Sequence, residues 1–363
     1  MRVFILNSGS SSIKYKLFLY KNGEFEVLES GVVERIGEEG GYLNHKEALE
    51  SIEKEIGDFS QIDIVAHRVV HGGDFNSSVV IDSGVLEKIE KATPLAPLHN
   101  PSNLAGIYEM LKLCSHSTQV AIFDTAFHQS LPAHHFLYAI SKEVSLKYNI
   151  RRYGFHGISN SYLLREGARL LGKDKSECNF IILHLRNGAS ATAIRNGESF
   201  NTSMGFTPLE GLVMGSRCGD IDAGVLLYLQ KKRVDLDKLL NYKSGLRGLC
   251  GTNDIREITK NLDNPNYALA FDIYIDRVRK YIGAYLIDLI RVDAIIFSGG
   301  VGENSSLVRE RVCQNLEPFG IELDYNKNRR GEEIISTDSS KIKILKIKTD
   351  EELEMAREAL AVI

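Results

Sequence analysis

The feature that most constrains this chain is a pair of matching segments far apart in sequence. The first, RVFILNSGSSSIKYKLFLYKNGE, opens on a run of β-branched and aromatic residues that reads as a buried strand. A Gly/Ser loop over residues 7–14 follows, and IKYKL then alternates with the period of a second strand. Asn22-Gly23 after it signals a hairpin turn. About 180 residues later FIILHLRNGASATAIRNGES repeats the order: apolar run, small-residue loop at 187–190, alternating strand, Asn196-Gly197. Two unrelated Gly/Ser hairpins are the plain reading, and a duplicated domain is the sharper one. The period is far too long for a solenoid. The Walker pattern G-x-x-x-x-G-K-[ST] is absent, and a P-loop joins a strand to a helix, so NSGSSSIK is a loop of a different kind.

The chain of 363 residues is long enough for two domains at roughly 150 residues each. A net charge of −4 gives no electrostatic footprint for nucleic acid. Five scattered cysteines with no C-x-x-C fit reduced thiols and a cytoplasmic setting. No apolar run reaches the ~18 residues of a membrane span, and the strongest late stretch is broken by Asp288, Arg291 and Asp293. Helices are expected over HKEALESIEKEI, over NPSNLAGIYEMLKL with Pro101 near its start, and over SNSYLLREGARLLG with Ser159 as cap. VDAIIFSGGVGENSSLVRERVCQNL reads as strand, Gly-rich turn and helix. TDEELEMAREALAV reads as a final helix capped by Thr349.

The residue types suit phosphoryl transfer, which needs donors around phosphate oxygens, cations, a metal site and a fixed acceptor. Gly9 and Gly188 would let backbone N–H groups approach an oxygen, with Asn7, Ser10, Ser12 and Lys14 adding donors and charge. Arg68 and Arg217 lie beside glycines and are either surface charges or ligand contacts. Asp124 ends a short apolar strand, where it either caps the next helix or holds a divalent metal. His67, His71, His128, His134 and His135 form no zinc-ligand pattern, whereas His156 lies between aromatics and a glycine ahead of a helix. SGGVGEN alone is a weak nucleotide signal.

Taken together, NSGSSSIK, HRVVHGG, PLAPLHNP, FDTAFHQSLP, YGFHGIS, TSMGFTPLEGLVMGSRCGDID, GTNDIRE, SGGVGEN and TDEEL resemble the acetate kinase (acetokinase) family, nearly end to end. The resemblance implies an α/β fold of two duplicated actin-like, ribonuclease H-like ATPase domains with a cleft between them. The first domain would hold 1–150 and 350–363, and the second 151–349. It implies reversible transfer from ATP to acetate, giving ADP and acetyl phosphate, with Mg2+ or Mn2+, in a cytoplasmic homodimer. By the same resemblance Ser10, Ser12, Lys14, His184, Asn187 and Gly188 would meet phosphates. Asn7 and Glu351 would hold the metal, which Asp124 would help to position. Arg68 and Arg217 would bind the carboxylate and the phosphoryl group, with His156 and His184 donating to phosphoryl oxygens. Asp254, Arg256, Gly300, Gly302 and Asn304 would form the nucleoside pocket, and Val70, Leu98 and Pro208 the pocket for the acetate methyl.

Three positions depart from the family pattern. HLRNG carries Arg186 where glycine is usual, NTSMG carries Asn201 in place of aspartate, and GDIDAG carries Ala223 where proline is common. If position 186 needs positive φ or bare backbone, an arginine there strains or blocks the second loop. The competing readings are propionate kinase, whose motifs are nearly all the same, and, because of Arg186 and Asn201, a nucleotide-binding homologue with impaired turnover.

Overall fold

The computed structural model describes residues 1–363 and contains two compact units. The first comprises Met1–Gln129, Gly157–Ser159 and Asp350–Ile363; the second comprises Ser130–His156 and Asn160–Thr349. Ser130–His156, expected mostly with the first domain, belongs with the second unit. Its anchor is Arg152, which donates to the carbonyls of Thr202, Ser203 and Met204 and pairs with Glu210 at 2.5 Å, while the Tyr138 hydroxyl donates to the same carboxylate.

In the first unit β1 (Arg2–Ser8), β2 (Ser12–Lys21) and β3 (Glu24–Glu34) form an antiparallel meander. β4 (Ile64–Val69) and β6 (Thr118–Phe123) extend it in parallel from β1, and the short β5 (Val79–Val80) pairs antiparallel with β6. Alternation along β1 explains how both faces are covered. Phe4 and Leu6 face Leu49 and Ile52 of the helix His45–Ile56 and Met110 of the helix Asn100–Leu113. Val3 and Ile5 face Met355, Ala356 and Ala359 of the C-terminal helix Glu351–Ala361.

The second unit repeats the plan. β7 (Phe180–Leu185), β8 (Ala189–Arg195) and β9 (Glu198–Thr202) form the meander, and β10 (Ala294–Ser298) and β11 (Lys343–Lys346) extend it in parallel from β7. The strand orders β3-β2-β1-β4-β6 and β9-β8-β7-β10-β11 correspond one to one. The hairpin turns correspond too: Asn22 and Gly23 have φ of 54° and 86°, Asn196 and Gly197 51° and 77°. Positive φ at both central residues is the backbone that matches the twist of flanking strands. The duplication expected from sequence is therefore present in the fold. β7 is buried along its whole length, and the long helix Pro265–Leu289 buries Phe271, Tyr274, Val278, Ile282, Tyr285 and Leu289 at helical spacing. No helix is long and apolar enough to cross a membrane.

Three helix starts differ from expectation. The helix expected to cap on Ser159 starts at Gly157, with His156 at its N-cap at φ 57° and Ser159 buried inside. The last helix is capped by Asp350, whose carboxylate accepts the Leu353 N–H, rather than by Thr349. The Gly-rich segment after β10 is not a turn but a short helix, Gly299–Asn304, followed by a second one, Ser306–Cys313, capped by Ser305.

Candidate active site

In the first unit the candidate residues gather at the C-terminal ends of β1, β4 and β6. The first loop closes tightly: Gly9 N–H donates to the Ser12 carbonyl at 2.8 Å, and His45 bonds the Gly9 carbonyl at 2.8 Å. The Asn103 amide holds Ser8 by its carbonyl at 2.7 Å and accepts the Val70 N–H, so one side chain ties the end of β1 to the chain leaving β4. Asn7, next to last in β1, lies opposite Lys14 in β2. Ser10 is exposed at the loop tip, with Ser12 half-buried.

Arg68 near the end of β4 is the centre of this group. Its Nε and Nη2 engage the Asp124 carboxylate, the shortest contact being 2.7 Å, and Nη1 lies 3.5 Å from Glu351. Asp124 is 2% exposed. Its carboxylate takes Arg68 and caps no helix. Burial raises the Asp124 pKa above the usual range against the pull of Arg68, and Glu351 adds to the rise. Burial alone would lower the Arg68 pKa, but Asp124, Glu351 and Glu352 outweigh it and hold the guanidinium above its ordinary value. Lys14 pairs with Glu352 at 2.5 Å and Lys16 with Asp350 at 2.8 Å. Four carboxylates thus pair with three cations. Asp124, Glu351 and Asn7 carry side-chain oxygens of the type that divalent cations accept, but no group of three or more His, Cys, Asp or Glu side chains is placed to hold a metal ion. Val70 is half-buried and Leu98 is 48% exposed.

In the second unit β7 and β8 place His184 opposite Ser190. His156, held in the left-handed region, reaches the same spot: its Nδ1 bonds Ser190 Oγ at 2.9 Å, and its ring stacks on His184 with centroids 4.4 Å apart. A Cβ on Gly188 would lie 3.6 Å from Arg217 Nη1 and 3.7 Å from His156 Nε2, so the bare loop backbone is where guanidinium and imidazole converge. Arg217 donates to the Pro208 carbonyl at 2.8 Å and has no carboxylate partner. Burial lowers its pKa, with a partial offset from Tyr242. A half-buried guanidinium bonded only to a carbonyl and a thioether is poised for an anion.

A cavity of about 920 Å³ opens beside this group and is lined by Asn187, Asp254, Arg256, Gly300, Val301 and Asn304, together with Arg186, Asn253, Lys260 and Tyr274. That volume suits a nucleotide-sized ligand. Asp254 caps the short helix Ile255–Lys260 and binds the Arg256 guanidinium through two nitrogens, at 2.9 and 2.7 Å. That hydrogen bonding holds the Asp254 pKa down at about 2. Gly302, expected in the pocket, does not line it: it is buried against Phe297 and Leu183 at the sheet.

Sequence reasoning missed Asn253, Lys260 and Tyr274 in the wall, and Arg309. Arg309, 2% exposed, donates to the carbonyls of Gly302 at 2.8 Å and Glu303 at 3.0 Å, which braces the end of the helix Gly299–Asn304. An arginine inside VRERV looks like an ordinary surface charge, so the sequence holds no signal for that role. Two of the three departures have a structural account. Arg186 has no positive φ, so it does not strain the loop. Asn201 donates its amide to Asp288 at 2.8 Å, a bond an aspartate there could not make.

A family profile described as "Acetokinase family" matches residues 2–357. The acetate kinase of Sulfurimonas denitrificans is 48% identical over 390 aligned positions, covering 100% of both chains. Among solved structures, an acetate kinase from Porphyromonas gingivalis superposes with a TM-score of 0.93 at 38% identity, over 99% of each chain. A propionate kinase from Francisella tularensis gives the same TM-score at 37% identity, over 100% of each chain. With a fold of two matching α/β units and a family match along almost its whole length, the chain belongs to the acetokinase family.

Proposed function

We propose that the protein is an acetate kinase, catalysing reversible transfer of the terminal phosphoryl group of ATP to the carboxylate of acetate, giving acetyl phosphate and ADP. The observation that carries this reading is the convergence of an acid-free guanidinium, Arg217, with His156 on the bare backbone of Gly188, beside a nucleotide-sized cavity. A carboxylate acceptor is ionised at neutral pH, so no general base is needed. The demand is instead for positive charge and hydrogen-bond donors around the phosphoryl oxygens.

Each unit contributes residues of a different kind. In the second, Asn187, Asp254, Arg256, Gly300 and Asn304 hold the nucleotide, and Arg217, His156 and His184 donate to the group in transfer. In the first, Ser10, Ser12 and Lys14 donate to phosphate oxygens, and Arg68 binds the acceptor carboxylate, oriented by Asp124 through two of its nitrogens. Val70, Leu98 and Pro208 contact the acetate methyl. Asn7 and Glu351, with Asp124 orienting, would hold Mg2+, which neutralises phosphate charge when bound. The reading includes a homodimer in the cytoplasm, tested by sedimentation velocity and by cell fractionation.

Purified protein with ATP, Mg2+ and acetate should form an acyl phosphate that hydroxylamine traps as the hydroxamate. A folded protein that binds ATP and yields none contradicts the proposal. The superposition on a propionate kinase supports a second reading, in which propionate is the acceptor. Comparing kcat/KM for acetate, propionate and butyrate separates them, because one methylene in an apolar site is worth ~1–3 kcal/mol. A maximum at acetate is expected, and one at propionate selects the second reading.

A further inference from the structure

We infer that Arg186 is a specificity-determining contact for the anionic tail of a nucleoside di- or triphosphate, an inference that rests on the second-unit cavity being the nucleotide site. Arg186 departs from the glycine of the family pattern, and the structure gives it a place and a free charge. β7 ends at Leu185, which pairs with Ala189 of β8, so residues 186–188 form the tip of the loop. The tip is fixed from the other side. Gly215 N–H donates to the Asn187 carbonyl at 2.9 Å, and Asn253 donates its amide to Asn187 Oδ1 at 3.1 Å. A Cβ on Gly215 would lie 1.8 Å from that Oδ1, so the close approach requires glycine. With Asn187 held there, Arg186 emerges exposed from the buried strand and lines the cavity.

Charge decides what Arg186 is for. Arg256, on the same wall, is engaged by Asp254 through two of its nitrogens. No carboxylate, carbonyl or other acceptor of the protein engages Arg186. Lys260 also lines the cavity, but it ends the helix that Asp254 caps, whereas Arg186 is two residues from Gly188, where Arg217 and His156 converge. Arg186 therefore belongs to the phosphate end. A planar guanidinium with five N–H donors matches a phosphate, and its contribution should grow with the charge of the tail.

Calorimetric titration of the full-length protein and of Arg186→Ala with ATP, ADP and adenosine tests this, with Arg186→Lys as the conservative variant. Removing the side chain should weaken ATP by about three- to tenfold, the range for an exposed charge-assisted contact, ADP by less, and adenosine not at all. Arg186→Lys should recover part of the loss. The wild type should lose ATP affinity more steeply with added KCl than Arg186→Ala does. Equal weakening of all three ligands, no change in any, or tighter ATP binding by Arg186→Ala overturns the inference. If the wild type binds none of the three, the nucleotide assignment itself fails and the inference with it, an outcome distinct from the others.

Discussion

His67 sits in β4 beside the catalytic candidates, 2% exposed, with its Nε2 bonded to Gln119 at 2.7 Å. Burial holds its pKa at about 4 against an ordinary 6.5, with the Gln119 bond pulling weakly the other way. The fold therefore keeps it neutral while the unfolded chain protonates below pH 6.5. The stability it contributes is fully present above the unfolded value and is lost as pH falls toward the folded one, about 3 kcal/mol in all. In urea titrations the free-energy gap between wild type and His67→Gln should narrow by roughly that amount between pH 6.5 and 4; a constant gap contradicts the assignment. Arg68→Ala should abolish acyl transfer and also cost about 3–5 kcal/mol, because it leaves the Asp124 carboxylate buried without its cation. Full stability with activity lost would mean that Asp124 does not depend on the pair. Asn201→Asp restores the family residue, yet it places a second carboxylate against Asp288 in a contact now 2.8 Å long. A loss of about 1–2 kcal/mol at neutral pH is expected rather than a gain in activity. Chemical denaturation alongside the activity assay checks both parts.

Loops and helix starts are where sequence reading was most and least informative. Both hairpin turns were legible, because Asn-Gly has one favoured use between alternating strands. The helix over HKEALESIEKEI was legible from its amphipathic spacing, and it occupies His45–Ile56. The start after YGFHGIS was not. Ser159 is a good capping residue by type, but the chain reaches the helix through a left-handed His156, a backbone choice set by its bond to Ser190 and its stack on His184. The candidate residues themselves stood out through the family motifs. Their neighbours did not, since the links from Asn187 to Gly215 and Asn253 join positions far apart in the chain. Gly215→Ala tests that element: its Cβ must displace Asn187, so ATP affinity should fall by about tenfold or more, as one or more polar contacts are lost. Affinity equal to wild type would show that the loop does not need this anchor. Arg309→Met should cost about 3 kcal/mol and weaken ATP, since the carbonyls of Gly302 and Glu303 lose their donor. An unchanged unfolding midpoint would contradict the bracing role.

For the molecule as a whole, the duplication is the organising fact. Two sheets of matching order present their loops at the same ends of equivalent strands, and each unit has elaborated its copy differently. The first copy gathers carboxylates and cations around Arg68, and the second gathers histidines, Arg217 and a cavity. Under the proposed function, that division suits a reaction whose two substrates are both negatively charged. The most direct test is the hydroxylamine assay on the purified, folded protein at saturating ATP, Mg2+ and acetate. Acetohydroxamate should accumulate in proportion to ADP and vanish in Arg217→Ala. Failure of the wild type to form it, while still binding ATP, would contradict the account.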